Sequence, residues 1–312
     1  MRASSWWGLV ACAFLAAPVW AQDEGGGDDD DFDTNWFGAR IGLWYRPAMD
    51  MNMKVNGRPR LPGGGQLPQA FGVLIGSSID IQDDLGVTET VTSDYMFENA
   101  ILEGEVFFDS EWISLSVWGV APFAYEGDTV LSRTISFAGQ SFTANLPVES
   151  RFEQWFLGTD LKINILNNRI VAISPLVGLR VFALDWEIRG LPPPPLPVIK
   201  GDTSDIDSPL KVGDDQLIPY PVLGAEIKVG FRRFIEADLK VAGMYVSYDE
   251  VEGGSVQVDA GVTVWLGIPY VGIRLGGRYS TFRFETKDQD EQNSFDFEVE
   301  YLGANLSLIA RF

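Results

Sequence analysis

From Asn35 to Phe312 the chain is written in a period of two, and this constrains its fold more than any other feature. Successive side chains of a strand point to opposite faces, so alternating apolar and polar residues mark a sheet with one greasy and one wet side. Ala39, Ile41, Leu43 and Tyr45 alternate with Arg40 and Trp44, and Trp155, Leu157, Thr159, Leu161 and Ile163 alternate with Gly158, Asp160, Lys162 and Asn164. Ten such runs can be read, around 39–45, 100–107, 113–118, 155–164, 173–181, 223–229, 235–241, 256–265, 271–278 and 301–312. With its flanks, each reaches the roughly 9–11 residues that a tilted strand needs to cross a bilayer.

After the first residues no stretch holds eighteen consecutive apolar side chains, so no membrane-spanning helix is expected. Lipid cannot satisfy the backbone of an open sheet edge, so strands like these could span only as a closed barrel. The connections alternate between short, at 109–111, 167–168, 232–233 and 267–269, and longer, at 47–93, 126–149, 188–214, 248–254 and 286–294. The fold expected is all-β, a transmembrane antiparallel up-and-down β-barrel of ten strands over 35–312, with both termini periplasmic. Eight or twelve strands are the alternatives, depending on how 47–93 pairs.

Aromatic residues gather beside the turns. Trp36, Phe107, Phe108, Trp112, Phe231, Phe234, Trp265, Tyr270 and Phe312 lie near the short ones. Tyr45, Phe123, Tyr125, Trp155, Trp186, Tyr220, Tyr245 and Phe282 lie near the long ones. Two levels of this kind suggest girdles at the two membrane interfaces. A soluble sandwich or lipocalin-like barrel would instead turn the apolar face inward. The many Gly and Ala on that face supply too little bulk to fill such a core, which favours lipid.

Residues 1–21 read as an export signal: Arg2 is basic, Trp6–Ala17 is apolar and Val19-Trp20-Ala21 offers a small-x-small cleavage site. Leu9-Val10-Ala11-Cys12 resembles a lipoprotein box, but the apolar run continues well past Cys12. Residues 22–34 are an acidic leader expected to be disordered. Cleavage after Ala21 would leave no cysteine, and with it no disulfide and no thiolate chemistry. The net charge of −21 disfavours nucleic acid as a partner.

The last run, Tyr301-Leu-Gly-Ala-Asn-Leu-Ser-Leu-Ile-Ala-Arg-Phe312, alternates to its end and stops on an aromatic residue. It resembles the closing strand of bacterial outer-membrane β-barrel proteins. That resemblance covers roughly 35–312 and implies a bacterial outer-membrane location, with Leu306, Leu308, Ala310 and Phe312 acting as the signal read by the barrel-insertion machinery. The implied surroundings are outer-membrane lipid and lipopolysaccharide. The run Ile79-Asp-Ile-x-x-Asp-Leu-Gly86 also looks like one seen in uncharacterised barrels of this class, and it names no activity. Outer-membrane phospholipases, lipid A deacylases and omptin-like proteases resemble the chain in topology, and each uses histidine in its catalytic set. This chain has no histidine. No catalytic residue, metal site or cofactor is therefore expected, and the protein reads as a non-enzyme.

The charges on the wet face are the candidate site. The acids are Glu103, Glu105, Asp160, Glu226, Glu236, Asp238 and Asp259, and the bases are Arg40, Lys162, Arg180, Lys228, Lys240, Arg274 and Arg278. Inside a barrel, opposed charges at one depth should pair, because an isolated buried charge is very costly. The expectation is a charge-paired, largely closed lumen in a protein acting structurally or on an unidentified ligand through extracellular loops. A narrow low-conductance channel for ions or small solutes is the alternative. Asp202, Asp205, Asp207, Asp214 and Asp215 are spaced too irregularly for an EF-hand and read as solvated loop acids. Pro192–Pro195 reads as a stiff polyproline II stem.

Overall fold

The computed structural model describes residues 36–56, 79–92, 100–138, 140–167, 170–191, 211–231, 234–248, 251–266, 270–287 and 294–312. The expected signal over 1–21, the leader over 22–34, Pro192–Pro195 and Asp202, Asp205 and Asp207 lie outside the described residues. Among the described residues no helix is long and apolar enough to cross a membrane.

Ten long strands form the wall: β1 (Trp36–Asn56), β2 (Ala100–Asp109), β3 (Ile113–Val130), β4 (Pro147–Ile163), β5 (Val171–Gly190), β6 (Lys211–Phe231), β7 (Ile235–Tyr248), β8 (Val251–Trp265), β9 (Val271–Lys287) and β10 (Ser294–Arg311). Each pairs antiparallel with the next, and β1 pairs with β10 from Gly38↔Arg311 to Asn56↔Ser294, which closes the barrel. Every run read from alternation falls on one of these strands, with Asn164 and Phe312 one residue past the ends of theirs. The segment 79–92 does not raise the count. Its strand Ile79–Asp80 adds to β1, its strand Val87–Thr92 adds to β3, and both stand beside the ten-stranded ring.

The apolar face points outward. Along β10, Phe312, Ala310, Leu308, Leu306, Ala304 and Leu302 face outside, followed by Glu300, Glu298 and Asp296. Ten residues of tilted strand give an apolar band about 25 Å tall, the height of a barrel's lipid-facing belt. Ile41, Leu115, Val117, Leu161, Leu239 and Ile273 sit in the same belt, each more than two-fifths exposed. Such a belt is an energetic liability in water and a match for hydrocarbon.

Most strands are longer than a bilayer requires. β1 and β6 run for 21 residues and β5 for 20. The extra length lies on one side, here called the far end, opposite the near end where Trp36 and Phe312 meet. Several expected loops are therefore strand: β3 continues to Val130, β5 to Gly190, and only residues 249–250 separate β7 from β8.

Two bulges decide what fills the far half. Between Tyr45 and Ala48 on β1, and between Val120 and Phe123 on β3, one extra residue enters the ladder. Each bulge contains a proline, Pro47 or Pro122, which has no N–H to give to a ladder bond. An extra residue reverses the parity of everything beyond it. Met49, Met51 and Met53 on β1, and Phe123 and Tyr125 on β3, thus turn inward and are buried.

The far mouth is covered by two insertions. In one, the helix Ile81–Leu85 is capped by Asp80, whose carboxylate accepts from the Gln82 and Asp83 amides at 3.0 Å, and by Gly86 at φ +62°. Ile79, Ile81 and Leu85 are fully buried. In the other, the hairpin Ile135–Phe137/Gln140–Phe142 buries Ile135, Phe137 and Phe142, and the Ala138 amide donates to the Val55 carbonyl at 3.1 Å. Arg133 beside the hairpin grips Asp84 of the helix at 3.0 and 2.5 Å.

Candidate functional site in the barrel lumen

In the near half the polar face of every strand points inward, and the lumen is a layer of ion pairs. Arg40 on β1 meets Glu105 on β2 at 2.9 Å. Arg278 on β9 holds Glu103 and Asp259, both at 2.8 Å. Arg274 forks onto Asp238 at 2.9 and 2.6 Å and also contacts Asp259. Arg180 meets Asp160 at 2.6 Å, and Lys240 contacts the same carboxylate. Lys162 meets Glu226 at 2.6 Å, with Lys228 farther off at 3.9 Å from Glu226 and 3.8 Å from Asp109. Arg311 reaches Glu236 at 3.3 Å.

All fourteen charges named from the sequence stand in this layer, joined by Asp109 and Arg311. Asp109 was read as part of a turn, and its strand position is what brings it to Lys228. Asn305 accepts from Arg274 at 3.0 Å and Ser307 donates to Glu103 at 3.3 Å, so β10 adds neutral partners. Acids and bases balance within the lumen although the chain as a whole carries −21. A balanced, paired layer avoids the several kcal/mol that each stranded ion would cost.

Trp118 stands at the centre of the layer. Arg180, Arg278 and Lys240 lie 4.9, 5.8 and 5.9 Å from its ring centroid, all within cation–π range. Glycine makes the room: a Cβ on Gly158 would lie 2.5 Å from Trp118 Cε2, and one on Gly261 would lie 2.5 Å from Arg274 Cζ. Beside the indole is a polar cavity with a water-accessible volume of about 40 Å³, lined by Arg40, Glu105, Trp118, Lys162, Glu226, Asp238, Lys240, Gln257, Asp259 and Arg278. One water needs roughly 10–15 Å³ on that measure, so the cavity has room for a few.

Above this layer the lumen changes character. Trp44, Phe123, Phe156, Phe182, Phe282, Phe297 and Tyr301 pack ring on ring, with Phe182 4.9 Å from Phe282 and 5.6 Å from Phe297. Tyr301 lies 5.8 Å from both Trp44 and Phe156. Gln154, fully buried, accepts from the Tyr301 hydroxyl and lies 3.5 Å from Met51 Sδ. Phe137 of the covering hairpin stacks edge-on against Trp186 at 4.9 Å, so the insertions continue this core.

The expected aromatic girdle at the far end is thereby corrected. Tyr45 and Tyr245 face outward, at 51% and 72% exposure, and Trp155 is half-buried on the outer face. Phe123, Tyr125, Trp186, Tyr220 and Phe282 are all buried in the lumen. At the near end Phe108, Trp112, Phe234, Tyr270 and Phe312 face out, but Trp265 faces in and lies under Arg311 at 4.1 Å. Phe107 also faces in, where it would meet a Cβ placed on Gly38.

No family model matches the chain, and no curated protein matches it. Solved structures do. The outer-membrane protease OmpT of Escherichia coli is 13% identical over 91% of this chain and 100% of its own, with a TM-score of 0.53. The Pseudomonas putida toluene transporter TodX is 9% identical over 89% and 90%, with a TM-score of 0.32. Ail, the attachment invasion locus protein of Yersinia pestis, is 9% identical over 88% and 98%, with a TM-score of 0.27. The likeness to OmpT is one of fold, and the fold is that of a bacterial outer-membrane β-barrel.

Proposed function

We propose that this protein is a non-enzymatic, integral outer-membrane barrel with a closed lumen. Both termini lie on the periplasmic side, and the far end stands outside the cell among lipopolysaccharide, where it takes an extracellular ligand or stiffens the envelope. The observation that carries this reading is the two-layer filling. An ion traversing the barrel would have to break the paired charges around Trp118 and then displace the aromatic core between Phe123 and Phe297. The second task alone disrupts a buried interior of rings in mutual contact. The fold shared with a protease does not carry over its chemistry, and a chain without histidine lacks a group that the omptin-like resemblance would require.

The polar cavity beside Trp118 favours the second reading, a low-conductance channel. Planar-bilayer recording of the refolded protein separates the two, with folding verified by heat-dependent gel migration. Silence of a folded barrel is the expected result. Discrete openings whose ion selectivity changes on Glu226→Lys would replace the closed-barrel reading with the channel.

A further inference from the structure

One seam in the wall is left open by the sequence. β6 and β7 pair only from Leu223↔Gly243 to Phe231↔Ile235. Farther up, β6 continues along β5 as far as Arg189↔Lys211, and β7 continues along β8 as far as Tyr248↔Val251. Among the described residues, the facing edges of 211–222 and 244–248 therefore have no strand partner. The cause is Pro219 and Pro221. Two residues apart, they remove successive N–H donors from one edge of β6. The ladder to β5 runs unbroken past both, so the stripped edge is the one toward β7.

The seam is an apolar groove, closed from behind. Tyr220, Val222, Ala242 and Phe282 are buried on its inner side, with Tyr220 5.1 Å from Phe282. On its outer side Leu217, Leu223 and Tyr245 are 63%, 70% and 72% exposed, against 40–42% for Ile227, Leu239 and Val241 just below on the same strands. The groove is continuous with the lipid-facing belt and opens at its far edge. The next outward residue on β6 is Asp215, paired in register with Asp185, which is paired in turn with Glu153. Across the mouth, Glu252 accepts from the Tyr245 hydroxyl at 3.1 Å.

We propose that the β6–β7 seam docks one acyl chain of a zwitterionic phospholipid, with its ammonium headgroup held at the acidic rim formed by Asp215 and Glu252. Apolar walls select a hydrocarbon chain. Acids at headgroup height repel a polyanionic lipid and favour a positive terminus. The inference rests on the membrane-embedded reading above, and heat-dependent migration reports that reading separately.

The test is hydrogen exchange of the full-length protein refolded in micelles as phosphatidylethanolamine is added, with phosphatidylglycerol in parallel. It follows the Tyr245 and Ser247 amides, which face the seam while those of Met244 and Val246 face β8. Exchange in bare micelles should be fast. Phosphatidylethanolamine at about ten times its Kd should slow it about tenfold, and phosphatidylglycerol should not. Leu217→Ser should abolish the slowing, whereas Ile41→Ser on β1, across the ring, should leave it intact. Slow exchange before any lipid is added would mean that the edge is covered by the chain itself and overturns the proposal. Equal slowing by both lipids overturns the headgroup assignment, and no slowing in a folded protein overturns the docking.

Discussion

Arg274 on β9 reaches past β8 to hold Asp238 on β7, Nε to Oδ1 at 2.9 Å and Nη2 to Oδ2 at 2.6 Å. Because it also contacts Asp259 on β8 and donates to Asn305 on β10, one guanidinium ties four consecutive strands from inside. Arg274→Met would strand Asp238 in the lumen. We expect a loss of about 3–5 kcal/mol, read as a lower urea midpoint of the refolded barrel. Adding Asp238→Asn removes the stranded charge and should recover most of that loss. A midpoint for Arg274→Met equal to the native one would show that the fork contributes nothing to stability.

Gly158 and Trp118 are a second such pair, and here the constraint is steric. A side chain at 158 would overlap the indole, which is already surrounded by cations. Gly158→Val should cost about 1–3 kcal/mol through overpacking. In the background of Trp118→Leu the same change should cost much less. A double-mutant cycle on unfolding midpoints reads the coupling, and strict additivity would place the clash elsewhere.

The charged layer was legible in the sequence because its residues keep strict parity with well-formed alternating runs. Glu226, Lys228, Lys240 and Arg274 need only the period of two. The aromatic core was hidden for two reasons. Phe123 and Tyr125 change face only because a bulge at Ala121-Pro122 inserts one residue, an event that alternation cannot announce. Trp186 and Phe282 are different. They share parity with Arg180 and Arg278 on their own strands, so their inward direction could have been read, but nearness to predicted turns outweighed it. The helix Ile81–Leu85 escaped because its apolar residues also fit a strand, and only the Asp80 cap and Gly86 distinguish the two.

The contact between the two covering insertions should depend on pH. The hydrogen bonds from Arg133 hold the Asp84 carboxyl below its ordinary value of 3.8. A depressed carboxylate stabilises the folded arrangement fully above its unfolded pKa and loses that contribution as pH falls through the lowered one. The pair is partly exposed, so its worth is modest, about 0.2–1 kcal/mol. Exchange of the amides in 82–87, corrected for the intrinsic pH effect, should stay level from neutral pH down to about 4 and rise below it. Arg133→Met should raise it already at neutral pH and remove the acid step. An unchanged acid step in that variant would assign the titration to another group.

Phe312 separates assembly from stability. Its amide donates to the Phe37 carbonyl at 2.7 Å and its carbonyl accepts from the Phe37 amide at 3.3 Å, so the backbone closes the barrel whatever the side chain. The ring itself is 54% exposed on the outer face and packs into no core. Phe312→Ala should therefore refold in micelles with the native heat-dependent migration. If the terminal alternation of Leu306, Leu308, Ala310 and Phe312 is what the insertion machinery reads, the same variant should enter proteoliposomes carrying that machinery several-fold more slowly than the native chain. Equal insertion rates would remove Phe312 from the signal, because the unchanged micelle refolding excludes a folding defect as the cause.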